Sequence, residues 1–138
     1  MDYRYLEHTA DAEFIAYGRT LDEAFVNAAR AMCALVVDPE KVKPAAVREI
    51  DIMADSLENL LYDWLSELLY LMDVELLVFS RFEVAIAPDG QQRLTGRAYG
   101  EKAGPQHEIA LDIKAVTYHD LRVEKRNNTY EAQVLLDI

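Results

Sequence analysis

From Thr20 to Leu35 apolar residues recur every three or four positions, at Leu21, Ala24, Phe25, Ala28, Met32 and Leu35. Asp22, Glu23, Asn27 and Arg30 take the opposite side. That period predicts a helix with one buried stripe. Thr20-x-x-Glu23 opens it as a capping box, in which the hydroxyl takes an orphan backbone N–H and the glutamate reaches back. Asp38-Pro39 ends it, because proline disfavours helical geometry in the residue before it. A second helix is capped by Asp55-x-x-Glu58 or by Ser56. Its stripe of Leu57, Leu60, Leu61, Trp64, Leu68 and Leu71 is widened by Leu65, Leu69 and Met72 to most of the circumference. A helix that apolar is covered on more than one side.

Elsewhere the period is two, the signature of strands. Residues 3–17 read as extended, with a polar pause at Glu7-His8-Thr9-Ala10-Asp11 and a stop at Gly18. Val47 to Met53 alternates. Phe79, Phe82, Val84 and Ile86 lead to the turn residues Pro88-Asp89-Gly90, and Leu94 to Tyr99 returns as a hairpin partner. Ile109 to Tyr118 and Leu121 to Lys125 are predicted strands. Asn127-Asn128 is a hairpin turn, and Tyr130 to Ile138 is the last strand. The order is strand, helix, strand, helix, then about five strands. It implies an α+β fold with two helices packed on mainly antiparallel β-sheet, in one domain over residues 1–138.

Charge narrows the function. Asp and Glu number 25 against 14 Lys and Arg, a net charge of −11. Such a surface repels polyanions, and the densest basic cluster, Lys125-Arg126, is flanked by Glu124. Tight, direct nucleic-acid binding is therefore not expected. The single cysteine, Cys33, sits in an apolar helical stretch, which predicts a buried, inert thiol and no internal disulfide. No signal peptide is recognisable at the start, and no apolar run reaches the roughly 18 residues of a membrane span. A cytoplasmic location is expected.

Acidic residues offer the first candidate chemistry. In the last strand Tyr130, Ala132, Val134, Leu136 and Ile138 share one face. Thr129, Glu131, Gln133 and Asp137 share the other, with Leu135 as the exception. The apolar face meets the core, so Asp137 points outward, and the Ile138 α-carboxylate follows it. A hard divalent cation takes several such oxygens, and Asp11 in the polar pause is a candidate third source. A frayed, solvated end is the plain alternative. His8 is a ligand beside Asp11 or a turn cap. Asp63 and Glu67, one helical turn apart, are a carboxylate pair or a solvated face. Lys114 lies within a predicted apolar strand, which is unusual unless its ammonium meets an anion. Strand parity puts Lys114 and His119 on opposite faces, so both serve one site only if the strand bulges or ends between them. A strand-end His119 bonded to backbone is the alternative. The chain contains no GxGxxG, Walker loop, CxxC or HExxH, and no nucleophile triad is readable.

Four segments taken together are more specific. His8-Thr9-Ala10-Asp11-Ala12, the run Leu60-Leu61-Tyr62-Asp63-Trp64-Leu65-Ser66-Glu67-Leu68-Leu69-Tyr70, Lys114-Ala115-Val116-Thr117-Tyr118-His119 and the terminal Asp137-Ile138 resemble the archease family in order and spacing. The resemblance implies a compact α+β domain without a catalytic residue of its own. It implies a protein cofactor of the RtcB-type RNA ligase that joins tRNA halves, promoting ligase guanylylation and multiple turnover and widening its nucleotide choice. By position it implies a divalent-metal site on Asp11, Asp137 and Ile138, with calcium the expected ion. It implies a functional Lys114, with His119 in the same motif. Ala12 stands where valine is common in the family and Ser66 where asparagine is common; neither change touches a charge. Two other classes stay open: a metal-dependent phosphoester hydrolase with Asp11 and Asp137 as ligands and His119 as base, and a chaperone-like binding module in which a metal only staples the chain ends.

Overall fold

The computed structural model describes residues 1–7, 11–89 and 91–138. Helix α1 spans Leu21–Val36 and starts as the sequence predicts, with Glu23 N–H donating to Thr20 Oγ1 at 3.1 Å. The glutamate reaches one residue further back than a capping box requires, accepting from Arg19 N–H. Helix α2 spans Leu57–Val74, and of the two candidate caps Ser56 serves, its Oγ accepting from Asn59 N–H. Asp55 and Glu58 are used elsewhere: Asp55 holds the Asn59 side chain, and Glu58 accepts the backbone N–H of Val123.

The strands are β1 (Tyr3–Leu6), β2 (Asp11–Gly18), β3 (Ala46–Ala54), β4 (Leu77–Asp89), β5 (Gln91–Lys102), β6 (Ala115–Val116), β7 (Arg122–Arg126) and β8 (Thr129–Asp137). They form two antiparallel sheets. One has the order β3-β5-β4; the other runs β1-β2-β8-β6, with β7 also paired to β8. The predicted order of elements and the α+β class are borne out, and Asn127-Asn128 closes the β7–β8 hairpin with φ of 50° and 64°. Positive φ at both central residues makes a turn whose twist matches the strands it joins. The β4–β5 strands run on beyond Ile86 and start before Leu94, up to Asp89 and from Gln91; Gly90 of the predicted turn lies outside the described residues.

Each helix touches both sheets. α1 packs on β2 and β8 from one side and on β4 from the other, and α2 packs on β3 and β5 and on β6 and β7. This double cover is what the near-complete apolar circumference of α2 requires. Trp64 is the centre of the packing. It is fully buried, its indole N–H donates to the Phe25 carbonyl of α1 at 3.1 Å, and its ring meets Phe82 of β4 edge-on. Gly96 of β5 leaves room for it: a Cβ there would lie 3.1 Å from the indole. Gly100 is needed for another reason. The β4–β5 register skips Ser80, and at that bulge a Cβ on Gly100 would fall 1.8 Å from the Val78 carbonyl oxygen. Cys33 is buried as expected, and burial pushes its thiol up to about 12. Among the described residues no helix is long and apolar enough to cross a membrane.

The predicted strand Ile109 to Tyr118 is corrected to a two-residue strand, β6. Residues 108–114 have neither helix nor strand. Ala110 N–H donates instead to the Val36 carbonyl at the end of α1. In the antiparallel register Ala115 already faces Asp137, so residues 109–113 run past the end of β8 and have no strand beside them, while at the other end β7 holds β8 from Thr129 to Gln133.

Trp64→Ala should lower folding stability by about 3–5 kcal/mol, the usual cost of emptying a large aromatic site. Urea unfolding followed by far-ultraviolet circular dichroism measures it, and a loss below about 1 kcal/mol would show that the indole does not anchor both helices.

Candidate metal centre

β2 and β8 pair antiparallel, which sets directly opposed residues on one face of the sheet. Asp11 stands opposite Asp137. Directly opposed Cβ atoms lie about 5 Å apart, so the two carboxylates are close enough to share one ion. Asp137 is exposed, as its strand parity predicts, with Ala132, Val134 and Leu136 buried on the other face. Leu135, the apolar exception on the outward face, is also buried. Asp11 is half-buried and its Oδ1 is closed off from solvent. On the far edge of β8, Ala115 of β6 stands opposite Asp137, and Lys114 N–H donates to the Asp137 carbonyl at 2.8 Å. Ile138 follows, half-buried against the core. Asp11, Asp137, Ile138 and Lys114 therefore gather at one end of one sheet.

The electrostatics of this end are asymmetric. Like charges directly opposed across two strands destabilise the pair, and a cation between them removes that penalty. The donors are carboxylate oxygens, the hard ligands that calcium and magnesium select. The residues present fit a divalent cation in chemistry and in placement. Among the described residues no group of three His, Cys, Asp or Glu side chains gathers around one point. The oxygens beyond the two aspartates would come from the Ile138 carboxylate, from water or from a partner.

Lys114 is exposed and makes no ion pair among the described residues, unlike most of the arginines. It is thus not a buried strand lysine: it lies in irregular chain one residue before β6. His119 is exposed in the turn after β6, with Nε2 3.7 Å from Asp120 Oδ2. The strand does end between Lys114 and His119, as one site would require, but the nearest acid to His119 is Asp120 rather than the aspartate pair. His8 lies outside the described residues. Asp63 is half-buried, and its carboxyl is held above the ordinary aspartate range, first by burial and then by Asp55. Beside it Tyr62 stacks face to face on Tyr118, with centroids 4.1 Å apart.

Two residues were not singled out from the sequence. Glu13 shares the outward face of β2 with Asp11 and is only 4% exposed. Gln133 donates to its Oε2 at 3.1 Å and accepts from Arg122, which also bridges Glu124 and Glu131. This network braces β2, β8 and β7 beside the aspartate pair. Its signal was available, because Glu13 is two residues from Asp11 and so on the same face. The other is His107, buried at the end of a short 3-10 turn. Gly104 N–H donates to its Nδ1 at 2.8 Å, and its Nε2 lies 3.0 Å from Glu101. With Nδ1 accepting, Nε2 carries the proton and donates to the carboxylate. This histidine clasps a loop, and nothing in a flat run of polar residues marks it.

The model of the Archease protein family matches residues 3–138. The chain is 47% identical to protein archease of Methanosarcina mazei, covering 99% of this chain and 95% of that one. It is 43% identical to protein archease of Sulfurisphaera tokodaii, covering 99% and 98%. The solution structure of Methanobacterium thermoautotrophicum protein 1598 is 40% identical, with a TM-score of 0.90 over 99% of each chain. The crystal structure of an archease, possible chaperone, from Thermotoga maritima shares the fold at 19% identity, with a TM-score of 0.63 over 96% of this chain and 94% of that one.

Asp63 gives a pH test. Its folded-state carboxyl titrates above the unfolded value of 3.8, so its ionisation weakens the fold as pH rises from that value through the folded one, and the loss persists at neutral pH. Asp63→Asn should raise the urea midpoint at pH 7 and leave it nearly unchanged at pH 3. A lower midpoint at pH 7 would contradict the assignment.

Proposed function

The chain belongs to the archease family, and from that premise we propose that it runs no reaction of its own but activates an RtcB-type RNA ligase in tRNA splicing, promoting guanylylation and repeated turnover. The observation that carries the reading is the register of Asp11 against Asp137. Two aspartates facing one another on adjacent strands are a poor choice for folding and a good one for holding a divalent cation, calcium being the expected ion. The bound ion would bring positive charge to phosphate oxygens. The chain's own part is to hold that ion at an edge: Asp11 and Asp137 as ligands, the Ile138 carboxylate as a third, and the Glu13–Gln133–Arg122 network keeping the two strands aligned. Lys114, beside Asp137 through its backbone, offers an ammonium to a phosphate or a partner carboxylate.

Charge supports the same partner. A net charge of −11 disfavours contact with RNA itself and favours a basic, RNA-binding protein surface, to which long-range attraction speeds association. A hydrolase would need His119 poised as a base over the aspartate pair, whereas its nearest acid is Asp120. The chaperone-like module remains the alternative if the cation only fastens β2 to β8.

Two measurements decide. Without divalent ions, Asp137→Asn should be as stable as the wild type or more so, because it removes a cross-strand repulsion, and added calcium should raise the melting temperature of the wild type but not of this variant. With ligase present, Asp137→Asn should slow guanylylation at least tenfold. Full activation by this variant would leave the ion a staple.

A further inference from the structure

Leu76 is an anomaly of the fold. It follows the last turn of α2 with φ 55°, the left-handed region, where its carbonyl accepts Ala103 N–H at 2.8 Å. A helix often ends on such a residue, and glycine or asparagine is the usual choice, since a Cβ is strained there. The other described non-glycine residues with positive φ are polar: Glu108, Asp120, Asn127 and Asn128. Leu76 is also 61% exposed, so folding recovers little of that strain by burying the side chain. A residue that is strained in its backbone and wet in its side chain is explained by what it touches outside the chain.

Its surroundings match. Leu76 stands at the mouth of a groove of about 160 Å³ between the end of α2 and residues 109–113, floored by Leu69, Met72 and Ile113. Ile109, 50% exposed, stands on the groove wall, and Val74, 60% exposed, lies two residues before Leu76. Asp73 and Asp112 also line the groove, both exposed and neither in an ion pair among the described residues. An apolar floor between two uncompensated carboxylates suits an apolar side chain flanked by Lys or Arg. A second copy of this chain, at −11, is a poor occupant. The wall is also continuous with the candidate metal centre, because the segment that carries Ile109, Leu111 and Ile113 runs directly into Lys114, whose N–H is fixed on Asp137.

We propose that this groove is the docking site for a basic, apolar segment of the ligase, with Leu76 as its anchor and the metal edge as its neighbour. The inference rests on the ligase reading above. Docking orients the aspartate edge and Lys114 toward the partner, because Ile109 and Leu111 belong to the chain segment that leads into Lys114.

Leu76→Gly separates binding from folding, since glycine relieves the strain. Its melting temperature should equal or exceed that of the wild type, while its affinity for the ligase, measured by fluorescence titration, should fall about tenfold. Asp73→Asn with Asp112→Asn should weaken binding several-fold and flatten its salt dependence. Calcium should raise the melting temperature of all these variants as much as that of the wild type. If the wild type binds and activates the ligase and Leu76→Gly does so equally well, the groove is not the docking site. If the wild type self-associates in sedimentation and Leu76→Gly does not, a second copy covers the groove and the proposal is overturned. If the wild type fails to bind the ligase at all, the functional reading falls first and takes this inference with it.

Discussion

A strand has two edges, and in this protein β8 must share them among three neighbours. β2 takes one edge along its whole length, while β7 and β6 divide the other. Much of the functional geometry follows from that division. β7 is joined to β8 by a two-residue turn and claims the near end of the edge. β6 takes the last two positions, and the residues before Lys114 run past the end of β8 and find hydrogen bonds elsewhere, as Ala110 N–H does on Val36. Asp137 consequently sits where three strands meet: opposite Asp11 on one side, opposite Ala115 on the other, with its carbonyl tied to Lys114. The candidate centre is a by-product of edge sharing, made where backbone pairing runs out.

The sequence was informative where local chemistry decides and silent where competition does. Both helices were legible, because their stripes and caps are local. So was the outward direction of Asp137, since it needs only a count of two along a strand. The Asn127-Asn128 turn could be read because two adjacent asparagines tolerate positive φ. The failure at Ile109–Tyr118 was of another kind. Its apolar residues are used, since Ile113 and Val116 are buried, but a strand also needs a partner alongside, and no property of residues 109–118 records that in this register most of them run past the end of β8. Lys114 was misplaced for the same reason. The register of Asp11 against Asp137 lay beyond periodicity too: each aspartate could be placed on a face, but that the faces coincide depends on which strands pair.

Charge is distributed with the same economy. Many of the arginines are held by carboxylates on the surface: Arg30 by Asp2, Arg48 by Glu75, Arg93 by Asp51, Arg97 by Glu49. Exposed pairs of this kind add little stability, but they mask positive charge and leave the acidic excess to set the long-range field. Lys114 lies beside the aspartate edge and outside these pairs.

The β2–β8 pairing also bears on how the sheet closes during folding. Glu13 of β2 and Gln133 of β8 are 120 residues apart in sequence, so the sheet that joins them has no local route to closure. Contacts between such distant segments form late and slowly. Until they do, β2 waits with one edge open, and an open edge is the place where a nascent chain pairs wrongly. The aspartate pair comes into existence only when that pairing closes. Any property that depends on it is therefore absent from a form in which β2 and β8 have not paired, and a partner that reads the pair reads that long-range closure.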